Sequence, residues 1–388
     1  MCSHETEESR PSGTGKSKLL LRRLRLVSGL ILLLFSAMHL INLAFGLRSV
    51  AALDSASQYL MRPWSTGVGS LTLLTAVVIH IGMGLTSIAQ RRSVAMSRTD
   101  WVQMVLGILI TPLLLNHVMV VGVLRQITPD FQPDFDFLLV LYWKYSPVSA
   151  LQQILVLVIL WVHGAIGFHQ WMVLKRVWVR IGPILTPALF LIPILALLGF
   201  VEGGKDTLAV LETTHQGQQK INMLIEMMAR AKPELAMIQK SIILIYGIVV
   251  LLALISMTLK ILRTYGRPVT VSYDNGVTAS GQAGLSILEM SLLNNIPHAN
   301  VCGGRGRCGT CLISVQQEHG LLTPISDIEA HTLRRIKAGD NQRLGCQARL
   351  LAGTINVIRL QPAFVDADAS RNPFRTEIET LPQSGDVA

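Results

Sequence analysis

The C-terminal fold is decided by one stretch, Val301-Cys302-Gly303-Gly304-Arg305-Gly306-Arg307-Cys308-Gly309-Thr310-Cys311, and its distant complement Arg343-Leu344-Gly345-Cys346-Gln347. The cysteines read C-x5-C-x2-C-x34-C. Thiolates are soft ligands that select zinc, Cu(I) or iron–sulfur clusters. A zinc ribbon pairs two short C-x2-C knuckles, and only one short spacing exists here. Three ligands in one glycine-rich loop with a distant fourth is the layout of a loop wrapped around a cluster. Gly303, Gly304, Gly306 and Gly309 let the loop turn backbone N–H groups toward anionic sulfides. The same glycines spell G-x-G-x-x-G, but cysteines interrupt it and a strand pattern follows, which argues against a dinucleotide loop. Plain disulfides are the other reading, and they are rare in reducing compartments. Cys302, Cys308, Cys311 and Cys346 are therefore the expected ligands of a [2Fe–2S] cluster, and Cys2 is an isolated thiol.

Around the loop, Pro268–Ser272 alternates as a strand, and Asp274-Asn275-Gly276 is a hairpin signal. Gly284–Asn295 has helical spacing through Leu285, Leu288, Leu292 and Leu293. Leu312–Val315 and Thr354–Leu360 read as strands. In these residues Val269–Pro362 resembles the β-grasp [2Fe–2S] ferredoxins, and the x5 spacing is similar to their adrenodoxin-type and bacterial branch. The resemblance implies an α+β domain over 268–362, four cysteine ligands and one-electron transfer. Acidic helices that dock partners are usual in that family. Here Asp327 and Glu329 stand beside Arg334, Arg335 and Lys337.

Outward from this domain the chain is different. Of 388 residues, 50% are hydrophobic and only 15% charged, with 34 Lys+Arg against 24 Asp+Glu and a net charge of +10. Soluble domains carry about 25% charged residues. This composition excludes a disordered chain or a disulfide scaffold, and the hydrophobic share argues against a nucleic-acid-binding protein. Six apolar segments free of Asp, Glu, Lys and Arg are long enough to span a bilayer: 26–47, 68–90, 101–124, 147–174, 181–201 and 241–259. Basic residues cluster before the first span, between spans two and three, between four and five, and after six. The positive-inside rule then puts both termini and the ferredoxin-like domain in the cytoplasm of a bacterial inner membrane, with an outer loop over 202–240 whose stretch 208–240 reads as one or two helices lying on the outer face. A basic tail over 1–25 and a disordered tail over 363–388 complete an α-helical integral membrane protein followed by an α+β domain.

Five of the ten histidines fall within spans: His39, His80, His117, His163 and His169. Ionisable residues inside a membrane are costly and mark function by default. Counted at 1.5 Å per residue, His39 and His117 lie about 11 Å from the outer end of their spans, and His80 and His163 about 18–24 Å. In an up-down four-helix bundle, helices one and three are diagonal, as are two and four. His39 with His117 is thus expected to hold an outer b-type haem and His80 with His163 an inner one, within a four-helix haem-binding core; a single haem with spare histidines is the other outcome of the count. Gly82, Gly84, Gly164 and Gly167 lie near the inner pair and would admit a macrocycle. His169 is a candidate for a haem propionate or a quinone pocket, or a simple interfacial residue.

The pattern resembles the dihaem membrane anchors of succinate dehydrogenase and fumarate reductase. Together with Ser286-Ile287-Leu288-Glu289 and Ile296-Pro297-His298-Ala299, the two halves also resemble bacterial adenylate cyclases in which a six-span anchor and a ferredoxin module precede the catalytic domain. Only about 26 residues follow the ferredoxin-like region, too few for a cyclase domain. The expectation is electron transfer between a [2Fe–2S] domain and membrane haem, with lipid as surroundings and a quinone or soluble redox protein as partner. The alternative is a redox or quinone sensor acting on a separate cyclase or other output protein. No nucleic-acid partner and no flavin or nicotinamide chemistry are expected.

Overall fold

In a computed structural model the described residues are 13–124, 134–316 and 320–367. Residues 1–12 of the N-terminal tail, 125–133 of the second outer loop and the tail beyond 367 lie outside them. The N-terminal part consists of α1 (Gly13–Ala44), α2 (Val50–Leu60), α3 (Arg62–Ser65), α4 (Gly67–Ala89), α5 (Arg98–Val118), α6 (Phe135–Val140), α7 (Pro147–Met172), α8 (Trp178–Thr213) and α9 (His215–Thr264). Six of these, α1, α4, α5, α7, α8 and α9, are long and apolar enough to cross a membrane. Their outward faces are lined by Leu, Val and Ile that no protein surface covers, as a lipid environment requires.

Helices α1 and α4 pack as one pair and α5 and α7 as another, while α8 covers α1 and α9 covers α4 and α8. The diagonal partners, α1 with α5 and α4 with α7, keep their backbones apart. Proline within a span removes one N–H and frees the carbonyl four residues earlier. Two such carbonyls find donors on neighbouring spans. Pro112 of α5 frees Ile108, whose carbonyl accepts Tyr246 Oη at 2.8 Å. Pro193 of α8 frees Leu189, whose carbonyl accepts Trp161 Nε1 at 2.6 Å. These bonds tie α9 to α5 and α7 to α8.

Two expectations about these helices are corrected here. The outer loop over 202–240 carries no separate helices lying on the bundle. Instead α8 continues to Thr213 and α9 starts at His215, with Thr214 in extended conformation breaking the helix and accepting the N–H of Gly217 at 3.1 Å. Apolarity marks where lipid ends, and a helix ends only where the backbone is broken. Ile221, Ala231 and Leu235 of the α9 extension cover Leu115, Met119 and Phe137. At the other end, α1 begins at Gly13, inside the expected tail, because Lys, Arg and Leu are all good helix formers.

The small domain is a five-stranded mixed sheet, β1 (Pro268–Tyr273), β2 (Thr278–Gln282), β3 (Leu312–Val315), β4 (Gln342–Leu344) and β5 (Thr354–Arg359), in the order β2-β1-β5-β3-β4. β1 pairs antiparallel with β2 and parallel with β5; β3 pairs antiparallel with β5 and β4. The hairpin at Asp274-Asn275-Gly276 closes with Gly276 at φ 77° and its N–H on the Tyr273 carbonyl. Alternate residues Val269, Val271 and Tyr273 of β1 enter a core with Met290, Ile313, Leu350, Ile355 and Val357. Helix α10 (Ile287–Leu293) is shorter than its apolar spacing suggests. Ser286 and Glu289 form a capping box that starts it there, and Leu293 points outward. Helix α11 (Asp327–Arg335) lies beside β4.

Candidate metal centres

Cys302, Cys308, Cys311 and Cys346 are free thiols, each buried. They fall into two contacting pairs, Cys302 with Cys308 and Cys311 with Cys346. Among the described residues no three His, Cys, Asp or Glu converge as they would around a single ion. Within each pair one sulfur donates to the other. The hydrogen bond from Cys308 and then the N–H groups of Arg307, Cys308 and Arg305 hold Cys302 well below the usual thiol range, against the upward push of burial. Donation to their partners, and then burial, push Cys308 and Cys311 up. Two thiolates this close repel unless a cation lies between them. One iron per pair supplies that cation, so the residues fit a two-iron cluster.

The loop is shaped for this. Gly303, Gly304, Gly306 and Gly309 all have positive φ, from 62° at Gly306 to 91° at Gly309. Its carbonyls are tied away from the sulfurs. Thr332 Oγ1 of α11 donates to the Gly306 carbonyl at 2.6 Å, and Arg335 Nη2 donates to those of Arg307 and Cys308 at 2.7 and 3.0 Å. Cys308 Sγ is 3.1 Å from Thr310 Oγ1, and Gln347 Nε2 is 3.5 Å from Cys346 Sγ. Of the two carboxylates on α11, Glu329 is turned inward. Glu329 is buried and bonds Arg343 Nε at 2.8 Å, Arg343 Nη2 at 3.0 Å and the Leu344 N–H at 2.9 Å.

In the membrane part the histidines meet across the two diagonals. The rings of His39 and His117 have centroids 5.9 Å apart, and those of His80 and His163 6.2 Å apart. A metal held between two imidazoles by bonds of about 2 Å sets their centroids about 6 Å apart. Three of the four rings have an identifiable neighbour at Nδ1. His163 Nδ1 is 3.0 Å from the Gln103 carbonyl. That oxygen only accepts, so Nδ1 carries the proton and Nε2 keeps its lone pair for a ligand bond. His117 Nδ1 is 3.2 Å from Tyr142 Oη, and His80 Nδ1 is 3.4 Å from Ser28 Oγ. His39 stacks on Phe35, which meets the Trp64 ring edge-on. The buried Trp64 Nε1 has no hydrogen-bond partner, a donor left for some further group near this pair.

Ser28, Gln103 and Tyr142 were not singled out by the sequence pattern. Nor were Gly29 and Gly107, where a Cβ would stand 2.9 Å from His80 Cε1 and 3.0 Å from His163 Cε1. The glycines chosen from the sequence behave differently. Gly82 and Gly84 face open space, Gly164 meets Leu33, and Gly167 meets Gln103. His169 joins neither pair; it is exposed and lies edge-on to Trp178 at 5.6 Å.

The small domain touches the membrane helices through the cluster loop itself. Arg305 Nη2 pairs with Asp100 Oδ1 at 2.5 Å, Arg305 Nη1 donates to the Cys302 carbonyl at 2.8 Å, and Arg22 Nη2 donates to the Arg305 carbonyl at 2.6 Å.

Residues 271–351 match the family of 2Fe-2S iron-sulfur cluster binding domains. The small domain is therefore of the [2Fe–2S] ferredoxin class, which implies iron–sulfur electron transfer for this part of the chain. Chlorosome protein I of Chlorobaculum tepidum is 38% identical over 104 residues, covering 26% of this chain and 41% of that protein. The chain thus spans about two-fifths of the length of that curated relative. The crystal structure of the ISC-like [2Fe-2S] ferredoxin of Pseudomonas putida is similar at 24% identity, over 25% of this chain and 94% of that one, with a TM-score of 0.22.

Proposed function

We propose that this protein carries electrons between a [2Fe–2S] cluster held by Cys302, Cys308, Cys311 and Cys346 and b-type haem held by His80 with His163 and by His39 with His117. The observation that carries the reading is the pairing of four histidines from four spans at the separation of two imidazoles sharing a metal. When bound, these groups supply reversible one-electron chemistry at potentials set by ligands, burial and hydrogen bonds. The chain's own residues hold and tune them. The Gln103 carbonyl keeps His163 in the tautomer that presents Nε2, and Tyr142 and Ser28 orient His117 and His80. The diagonal helices do not pack backbone to backbone, which is compatible with a planar group held between them. The distribution of basic residues supports a bacterial inner membrane with the small domain cytoplasmic. A membrane quinone or a soluble redox protein then completes the circuit.

The test uses the full chain purified in detergent. Pyridine haemochrome should find protohaem near two per chain, and paramagnetic resonance of the dithionite-reduced protein should show a [2Fe–2S] signal that Cys308→Ser abolishes. Protein free of haem when grown with ample haem supply overturns the membrane half; absence of the signal overturns the other.

A further inference from the structure

Asp100 stands in the first turn of α5, 8% exposed, where Ser97 Oγ donates to its Oδ2 at 2.7 Å and accepts its N–H at 3.2 Å. Its other oxygen faces Arg305, which lies between Cys302 and Cys308 and is itself bonded to the Cys302 carbonyl. Arg22 of α1 donates to the Arg305 carbonyl of the same loop, and α1 packs against α11 behind it. A Cβ on Gly303 would stand 3.1 Å from Asp100 Oδ2, so the loop backbone lies against the helix end. The two helices that grip the loop are also those that touch the nearer histidine pair. One turn beyond Asp100, α5 offers the Gln103 carbonyl to His163; two turns beyond Arg22, α1 offers Ser28 to His80.

We propose that Asp100 is a positioning residue. Through its ion pair with Arg305 it locks the cluster loop over the His80–His163 pair, and the docked state is the one in which the two redox sites exchange electrons. The inference rests on the proposed function. With both groups bound, the exchange would move one electron from one site to the other, oxidising one and reducing the other by one, and it would require no bond or proton of these residues to move.

The test compares wild type with Asp100→Asn and, separately, Arg22→Gln, in full-length protein in nanodiscs. Asp100→Asn keeps the shape and most of the cap at α5 but removes the charge facing Arg305. Hydrogen exchange at 302–306 should rise at least tenfold in both variants while β1 and β5 keep their protection. The cluster signal and haem spectra should be unchanged, and electron exchange between the sites after rapid mixing should slow at least tenfold. The swap Asp100→Arg with Arg305→Asp should recover part of both losses. Unaltered exchange at 302–306 in both variants overturns the lock. Raised exchange with an unaltered transfer rate overturns its redox role. A wild-type protein without haem overturns the membrane reading instead, and the hydrogen-exchange result still decides the lock.

Discussion

The Glu329–Arg343 pair gives the most sharply defined energetic test. Its side chains are 1% and 3% exposed, and the carboxylate accepts three bonds, two from the guanidinium and one from the Leu344 N–H. The pair joins α11 to β4, and β4 leads directly into Cys346. Glu329→Ala leaves the guanidinium buried without its counter-ion and the Leu344 N–H without an acceptor. Breaking a buried ion pair from one side costs about 3–5 kcal/mol, against a whole-domain stability of about 5–15 kcal/mol. For a domain of this size each kcal/mol moves the midpoint by about 4–8 °C, so a loss of at least about 12 °C is expected for the lower bound. The assay is thermal loss of cluster absorbance in the full-length protein, which reports release of the Cys346 segment. Glu329→Leu combined with Arg343→Met removes both charges and should recover much of the loss, since an apolar pair of similar volume is often no worse than the ion pair. A shift below about 4 °C for Glu329→Ala, equivalent to about 1 kcal/mol or less, refutes the assignment of this pair as the clasp of the fourth ligand's strand.

His39→Ala should remove one haem's spectrum and His80→Ala the other, read by low-temperature difference spectra; retention of both haems in both variants restores a packing role for the histidines. Tyr142→Phe removes the neighbour of His117 Nδ1, so haem at that pair should be held about 10–100-fold more weakly, measured by its transfer to an acceptor protein, with the His80–His163 site unaffected. Tyr246→Phe leaves the Ile108 carbonyl without its donor and should cost about 0.6 kcal/mol and at most about 1.7 kcal/mol, measured by equilibrium unfolding in mixed detergent.

Local pattern made much of this architecture legible. The spacing of four cysteines marked the cluster loop because a ligand set must be supplied by fixed residue types at short separation. Counting helix rise from the span ends paired His39 with His117 and His80 with His163, because depth in a membrane is a one-dimensional quantity that sequence reports directly. What escaped were the contacts with no local signature. Arg305 and Asp100 are 205 positions apart, and neither is unusual where it stands. The Gln103 carbonyl is backbone, so no residue type announces it. Glu329 looked like surface charge because its partner Arg343 lies on another element, and composition does not show which charges are paired. The glycines beside the nearer pair were missed for the same reason: the glycine that admits a ring belongs to the facing helix, so Gly29 serves His80 and Gly107 serves His163.

One numerical coincidence in the two gripping helices bears on how the whole array is oriented. On α1 the loop contact Arg22 and the far histidine His39 are 17 residues apart, and on α5 the contact Asp100 and His117 are also 17 apart. Both helices start at the face carrying the small domain, so at 1.5 Å per residue each spans about 25 Å from loop contact to far imidazole. Two diagonal helices with the same spacing hold the loop level at one end and the His39–His117 pair level at the other. The nearer pair lies between, with Ser28 about 9 Å along α1 from Arg22. This ordering puts the cluster loop at one edge of a hydrocarbon core of about 30 Å, with the near pair and then the far pair at increasing depth. From Ser28 to His39 is about 16 Å of helix, roughly half that core. An electron crossing the whole membrane feels about 2.3 kcal/mol per 100 mV, so with haem held at both pairs, as proposed above, a step between them should feel about half of it. The direction of flow along the array would then be set by membrane potential as well as by the ligands.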